Sequence, residues 1–200
     1  ERMASYSLWP TPPPLAGALA SHYGLASVTG YDVLYPERFR AFMKIVNRDA
    51  PWRPPLGEDW ARLEDPGSDL VDLLGIRFLV VADAPDSARI ASSGLRRQFE
   101  RRVWADGSAA IYENPDPLPR AFLVHEIRNV SDAREAADSL ARPGGFDFRR
   151  RALVEGMKVW PAFGAEAGPQ RAGMATLIRP RPTEVEVRVS SPANAILVIT

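Results

Sequence analysis

Proline sets the grain of this sequence: 19 of its 200 residues are Pro, about twice the usual ~5% share. A proline lacks the backbone donor and clashes with a continuing helix. The clusters PTPPP (10–14), PWRPP (51–55), ENPDPLPR (113–120) and RPRP (179–182) therefore read as loops that cut the chain into short elements. The longest uninterrupted aliphatic runs, FLVVA (78–82) and AILVI (195–199), fall far short of the ~20 residues a membrane helix needs. A chain of 200 residues with 46% hydrophobic and 25% charged residues is one domain or two small ones with a buried core.

Charge excludes more than it suggests. Basic and acidic residues balance at 25 each, so no net field draws in nucleic acid or anionic lipid. With no cysteine, disulfides, thiolate metal sites and cysteine nucleophiles are all ruled out. The start, ERMASYSLWP, has no basic stretch followed by an apolar one. No signal peptide is read there, and the expectation is a cytosolic chain or a segment excised from a longer one.

Residues 1–35 show no sustained period and read as irregular, with a short helix at LAGALASHYG. A helix follows from Pro36 as a first-turn proline to about Asn47, with Phe39, Phe42, Met43 and Val46 as its apolar stripe. A weak helical segment at Asp59–Leu63 precedes SDLVDLLG, a helix capped by Ser68 and closed by Gly75. IRFLVVAD (76–83) reads as a strand covered on both faces. Asp106-Gly107 between two β-prone runs predicts a hairpin over 101–113. RAFLVHEI (120–127) is a strand, SDAREAADSLARP (131–143) a helix capped by Ser131 with Ala133, Ala136, Ala137 and Leu140 as its face, and RRALVEG (150–156) another strand. A Gly-rich link (161–173) leads to three β runs at 174–181, 183–190 and 195–200, the last with no closing partner. The expected fold is α+β: a mixed sheet with a few packed helices over residues 1–160, then over 174–200 the start of an antiparallel, sandwich-like β unit that is incomplete at the C-terminus.

No phosphate-binding loop, nucleophile elbow or zincin motif occurs. Of the two histidines, His22 and His125, each reads as a structural hydrogen-bonding group. Asp69 and Asp72 read as acids at the positive end of a helix. The arginine runs 96–102 and 149–151 read as solvated surface, with phosphate or headgroup binding as the alternative. The loop aromatics, Trp104 and Tyr112 among them, either plug a loop-rich core or offer stacking faces to sugars. No catalytic residue, metal ligand or cofactor is assigned.

Three stretches together resemble the extracytoplasmic region of YfhO-type bacterial multi-pass membrane proteins, which look like GT-C-class glycosyltransferases: YGLASVTGYDVLYPERFRAFM (23–43), DLLGIRFLVV (72–81) with AAIYENPDPLPRAFLV (109–124), and GGFDFRRRALVEG (144–156). The resemblance covers most of the chain, and its most specific motif is YENPxxLPRA. It implies an outward-facing domain on the bacterial cell membrane, in a parent that moves sugars from a lipid-linked donor. The catalytic acids are expected in membrane loops outside this segment, so the fragment itself is read as non-catalytic. Its expected partners are a cell-envelope glycan and the membrane part of its own chain, and no nucleic acid. The alternatives are a protein-interaction or scaffold module of the same parent that self-associates, and a free-standing soluble enzyme.

The candidate ligand-binding positions are Tyr31, Asp32 and Arg38 from the first motif, and Tyr112, Glu113, Asn114 and Arg120 from the second. An Asn and an acid on a proline-fixed loop beside a Tyr can hydrogen-bond sugar hydroxyls while the ring stacks. The competing reading is structural: the prolines stiffen a turn, and Arg120 pairs with Glu113 or Asp32.

Overall fold

The computed structural model describes residues 2–7, 19–31, 36–48, 60–61, 63–82, 95, 98–99, 101–106, 108–142, 144, 146–156, 173–180 and 184–200. The chain divides into two compact units, Glu1–Pro117 and Leu118–Thr200. Its class is α+β, as expected, with a mixed five-stranded sheet and a few helices. No helix among the described residues is long and apolar enough to cross a membrane.

The first unit contains β1 (Arg2–Ser7), α1 (Leu19–His22), β2 (Ala26–Ser27), β3 (Gly30–Tyr31), α2 (Glu37–Val46), β4 (Trp60–Ala61), α3 (Leu70–Leu73), β5 (Ile76–Ala82), β6 (Arg101–Ala105) and β7 (Ala109–Glu113). Its sheet has the order β2-β1-β5-β7-β6. The pairs β2–β1 and β1–β5 are parallel, whereas β5–β7 and β7–β6 are antiparallel. The N-terminal segment read as irregular is thus a central strand. RMASYS has no apolar period of its own, and the ladder to β5 supplies what its pattern lacks.

β5 is buried at Ile76, Leu79 and Val81 and half-buried between them, so it alternates instead of being fully covered on both faces. Leu79, Val81, Ala110 and Tyr112 share the buried face. Two bulges bend this sheet. β1 places Arg2 opposite Ile76 and Met3 opposite Phe78, so the register of that ladder skips Arg77. β6 places Arg102 opposite Tyr112 and Trp104 opposite Ile111, which leaves Val103 unpaired. A bulge re-aims the side chains beside it, and both lie next to Glu113.

α2 forms where the stripe predicted it, with Met43 and Val46 buried. Pro36 stands one position earlier than expected, as the extended residue before the helix (φ −54°, ψ 136°). Asp59–Leu63 does not form a helix in its described part: Trp60–Ala61 pairs with Gly30–Tyr31. The helix expected from Ser68 is a single turn. Its leading residue, Asp69, is already helical (φ −60°, ψ −22°) and no side chain caps it, because Ser68 belongs to the preceding turn through its amide bond to Asp65 O (3.2 Å). Gly75, at φ 64°, ends the turn as expected for a glycine after a helix.

The second unit contains β8 (Ala121–Val124), β9 (Glu126–Val130), α4 (Ala133–Ala141), β10 (Arg151–Glu155), β11 (Met174–Pro180), β12 (Val185–Ser190) and β13 (Ile196–Ile199). β9 and β10 are parallel with α4 as their crossover. The cap of α4 is Asp132, whose Oδ1 accepts the Glu135 amide at 2.9 Å. Ser131, the expected cap, instead donates its amide and hydroxyl to Glu135 Oε2 at 2.8 and 2.9 Å. The strand expected over 120–127 breaks at His125: β8 pairs with β13 and β9 with β10. β13 therefore does have a closing partner. That ladder places 196–199 in the same unit as 118–156, whereas the sequence reading drew its line at 161–173, a stretch of which only Gly173 is described.

Candidate functional site

The YENP segment leaves the sheet at the end of β7. Tyr112 is 7%, Glu113 5% and Asn114 2% exposed. The Asn114 amide is fully engaged: Nδ2 donates to Asp72 Oδ1 at 2.7 Å and to Ile76 O at 3.3 Å, while Oδ1 accepts the Asp116 amide at 3.0 Å. Its backbone N–H reaches Arg77 O at 2.8 Å. This residue clips the turn after β7 to the end of α3 and the start of β5, so Asp72 serves Asn114 in addition to its helix. The Tyr112 ring lies on the buried face, where little of it is offered to a ligand.

Glu113 lies on the opposite face of the sheet under two arginines. Arg77 donates to its Oε1 from Nε at 3.2 Å and from Nη2 at 3.1 Å, and Arg101, its cross-strand neighbour, donates from Nη2 to Oε2. These two arginines are the partners that Glu113 has within its own unit. The two bulges explain the convergence, since each turns an arginine toward the same carboxylate. The Arg77 guanidinium also lies over the Phe78 ring, 5.6 Å from its centre. Trp104, 48% exposed, shares this face with Arg101 because the bulge at Val103 shifts the alternation. One face of the sheet across β5, β7 and β6 thus carries two guanidinium groups and two aromatic rings, with Glu113 buried beneath the arginines.

The other candidate positions are dispersed. Tyr31 closes the short ladder to β4, Asp32 lies outside the described residues, and Arg38 is exposed in the first turn of α2. Arg120, in the second unit, has a buried Nε without a hydrogen-bond partner, and its carbonyl accepts the Thr200 amide at 3.0 Å. Of the histidines, His22 stacks edge-on against Tyr23, and His125 Nδ1 is 3.1 Å from Asn194 O. Arg150 and Arg151 from the second basic run hold Glu126 at 3.0 and 2.6 Å. The Arg151 hydrogen bond, followed by the charges of both arginines, lowers the Glu126 pKa. No cluster of metal-ligating side chains occurs among the described residues. Comparison of the chain with protein-family models, curated proteins and solved structures finds no match.

Arg77 is not among the sequence candidates, Arg101 is read only as part of a basic run, and Trp104 is named as a ring that could stack on a sugar. A two-residue loop at Asp106-Gly107 pairs Ala105 with Ser108 and so sets Arg101 opposite Tyr112. The structure instead pairs Ala105 with Ala110, and the bulge then brings Arg101 opposite Glu113. Asp106 anchors that turn as its first residue, accepting Ser108 N, Ala109 N and Ser108 Oγ at 2.7, 2.8 and 2.9 Å.

Proposed function

We propose that this chain is an extracytoplasmic, non-catalytic domain of a multi-pass membrane protein of the GT-C-like kind, and that it positions a cell-envelope glycan on the Arg77–Arg101–Trp104 patch. The observation that carries this reading is the exposed Trp104 ring on the same sheet face as Arg77 and Arg101, two arginines whose orientation is fixed by one buried carboxylate. Aromatic rings pack against the C–H faces of sugars, and guanidinium groups donate in a fixed fork to hydroxyls, carboxylates or phosphates. The YENPxxLPRA resemblance supplies the cellular setting. Within that motif the work divides: Asn114 fastens the turn and Glu113 orients the arginines, while the ligand-facing groups come from neighbouring strands.

The test is an NMR titration of the chain with bacterial cell-envelope oligosaccharides, neutral and phosphate-bearing, following the Trp104 indole N–H and the Arg101 Nε–H. Saturable shifts are expected at both, and Trp104→Ala should weaken binding by about tenfold, or roughly 1.4 kcal/mol, while leaving the fold intact. Silence at both groups across the panel overturns the glycan reading. The membrane setting is tested separately, by whether the coding sequence around this segment encodes several apolar stretches of ~18 or more residues.

A further inference from the structure

In the second unit, β12 pairs with β11 along one side, and no strand among the described residues pairs with its other side. Every residue of β12 is exposed except Val187, which is half-buried. Its sequence, Val185-Glu186-Val187-Arg188-Val189-Ser190, alternates strictly. Val185, Val187 and Val189 share one face, which continues onto β11 through Leu177 opposite Val187 and Ala175 opposite Val189. On that face Val185 is 50% and Val189 46% exposed. Glu186 and Arg188 occupy the other face, opposite Arg179 and Thr176 of β11. Natural sheets cover, charge or twist away an open apolar edge of this kind.

The charge pattern selects the occupant. Val-Glu-Val-Arg-Val is self-complementary when read against its own reverse. We propose that β12 is the seam of a symmetric dimer, in which two copies of the chain pair antiparallel through this edge about a two-fold axis at Val187. Val187 then lies opposite itself, and Val185 lies opposite Val189 of the second copy. Glu186 lies opposite Arg188 of the second copy, and the same pair recurs on the other side of the axis. Both ion pairs form on one face, while the valines of both copies join into a continuous apolar face on the other. Opposite charges directly across a ladder stabilise it and like charges oppose it. A one-residue slip would put valines against charges, so the pattern also fixes the register. The contact is isologous, which closes the assembly at two copies.

Sedimentation equilibrium of the chain between roughly 1 μM and 1 mM tests this. The expected result is a concentration-dependent dimer. Arg188→Glu alone, or Glu186→Arg alone, places like charges across both pairs and should weaken it by about tenfold or more. The exchange Glu186→Arg with Arg188→Glu restores complementarity and should restore the dimer. A monomer throughout the range, single variants that dimerise as the wild type does, or a double variant no better than the singles would each overturn the proposal. A second measurement does not depend on affinity. The chain has no cysteine, so Val187→Cys introduces one thiol, which the two-fold axis places opposite its own copy and within disulfide reach. Val187→Cys should oxidise to a covalent dimer much faster than Val189→Cys. Equal rates overturn the axis.

Discussion

Replacing Asn114 by Asp exchanges the side-chain amide nitrogen for an oxygen and tests whether the YENP asparagine is a structural clip. The wild-type Nδ2 donates to Asp72 Oδ1 at 2.7 Å, and the residue is 2% exposed. A hydrogen bond to a charged group is worth roughly 1.5–3 kcal/mol. Two ionised carboxylates about 4 Å apart would repel by about 4 kcal/mol at an effective dielectric near 20. The pair escapes part of this by sharing a proton. Taking up that proton at pH 7.5 against an ordinary carboxyl pKa near 3.9 costs about 5 kcal/mol, which sets the ceiling. Asn114→Asp should therefore lose about 4–5 kcal/mol at pH 7.5, close to the whole stability of a marginal domain. The sign of its pH dependence follows from the same pairing. The shared carboxyl has a folded-state pKa above its unfolded value, so the folded variant binds more protons and loses stability as pH rises. Relative to wild type, the deficit should shrink to about 1–2 kcal/mol at pH 5. Urea unfolding followed by tryptophan fluorescence, wild type against variant at both pH values, reads the difference. A deficit under about 1 kcal/mol at pH 7.5, or one that does not shrink at pH 5, refutes the clip and returns Asn114 to the list of ligand-facing groups.

Four further outcomes are expected. Gly173→Ala should cost about 1–3 kcal/mol in urea unfolding, because its Cβ would sit 2.5 Å from Leu123 Cδ1 and 2.8 Å from the Ser190 carbonyl oxygen; Leu123→Ala should relieve only the first clash. Asp132→Ala should cost about 1 kcal/mol, read from thermal unfolding, through loss of the 2.9 Å cap on the Glu135 amide. Ser131, first through its amide and then through its hydroxyl, holds the Glu135 pKa below its usual value, so the stabilisation is present at neutral pH and fades as pH falls through the acid range. Glu135→Gln should flatten that part of the stability–pH profile. Glu113→Gln should leave the sheet folded, since Arg77 and Arg101 keep solvent contact, but should lower glycan affinity while Trp104 remains in place; unchanged affinity would separate Glu113 from the patch.

How much of this was legible in the sequence depended on whether the signal was local. α2 could be read because its apolar stripe and first-turn acid lie within one element, and the 101–113 hairpin because its turn residues do. β1 could not: Arg2–Ser7 is a strand by virtue of its pairing with β5, more than 70 positions away, and nothing in RMASYS announces it. β13 is readable as a β run, but its pairing with β8 is not, because that partner lies far upstream. The two misassigned caps are a subtler case. Ser68 and Ser131 both suit the cap position, but each is followed by an aspartate, and the helix starts one residue further on. At the site, the motif drew attention to Tyr112, Glu113, Asn114 and Arg120, while the groups that surround Glu113 depend on two bulges that a period-two pattern does not encode.

Those bulges tie the fold to the proposed chemistry. A buried carboxylate between two arginines is weak evidence for stability, since removing charges from water offsets most of what their attraction contributes. What the arrangement does provide is orientation. Arg77 is held by two bonds to one oxygen of Glu113, and Arg101 by a bond to the other, so neither guanidinium swings freely above the sheet. Losing that freedom in advance reduces the entropy a ligand would otherwise have to remove. On this view the burial of Glu113 follows from its task. In the proposed site the carboxylate stays beneath the surface so that both arginines present their outer sides together. A substitution that keeps the fold while releasing either arginine should therefore weaken binding without removing any group that touches the sugar.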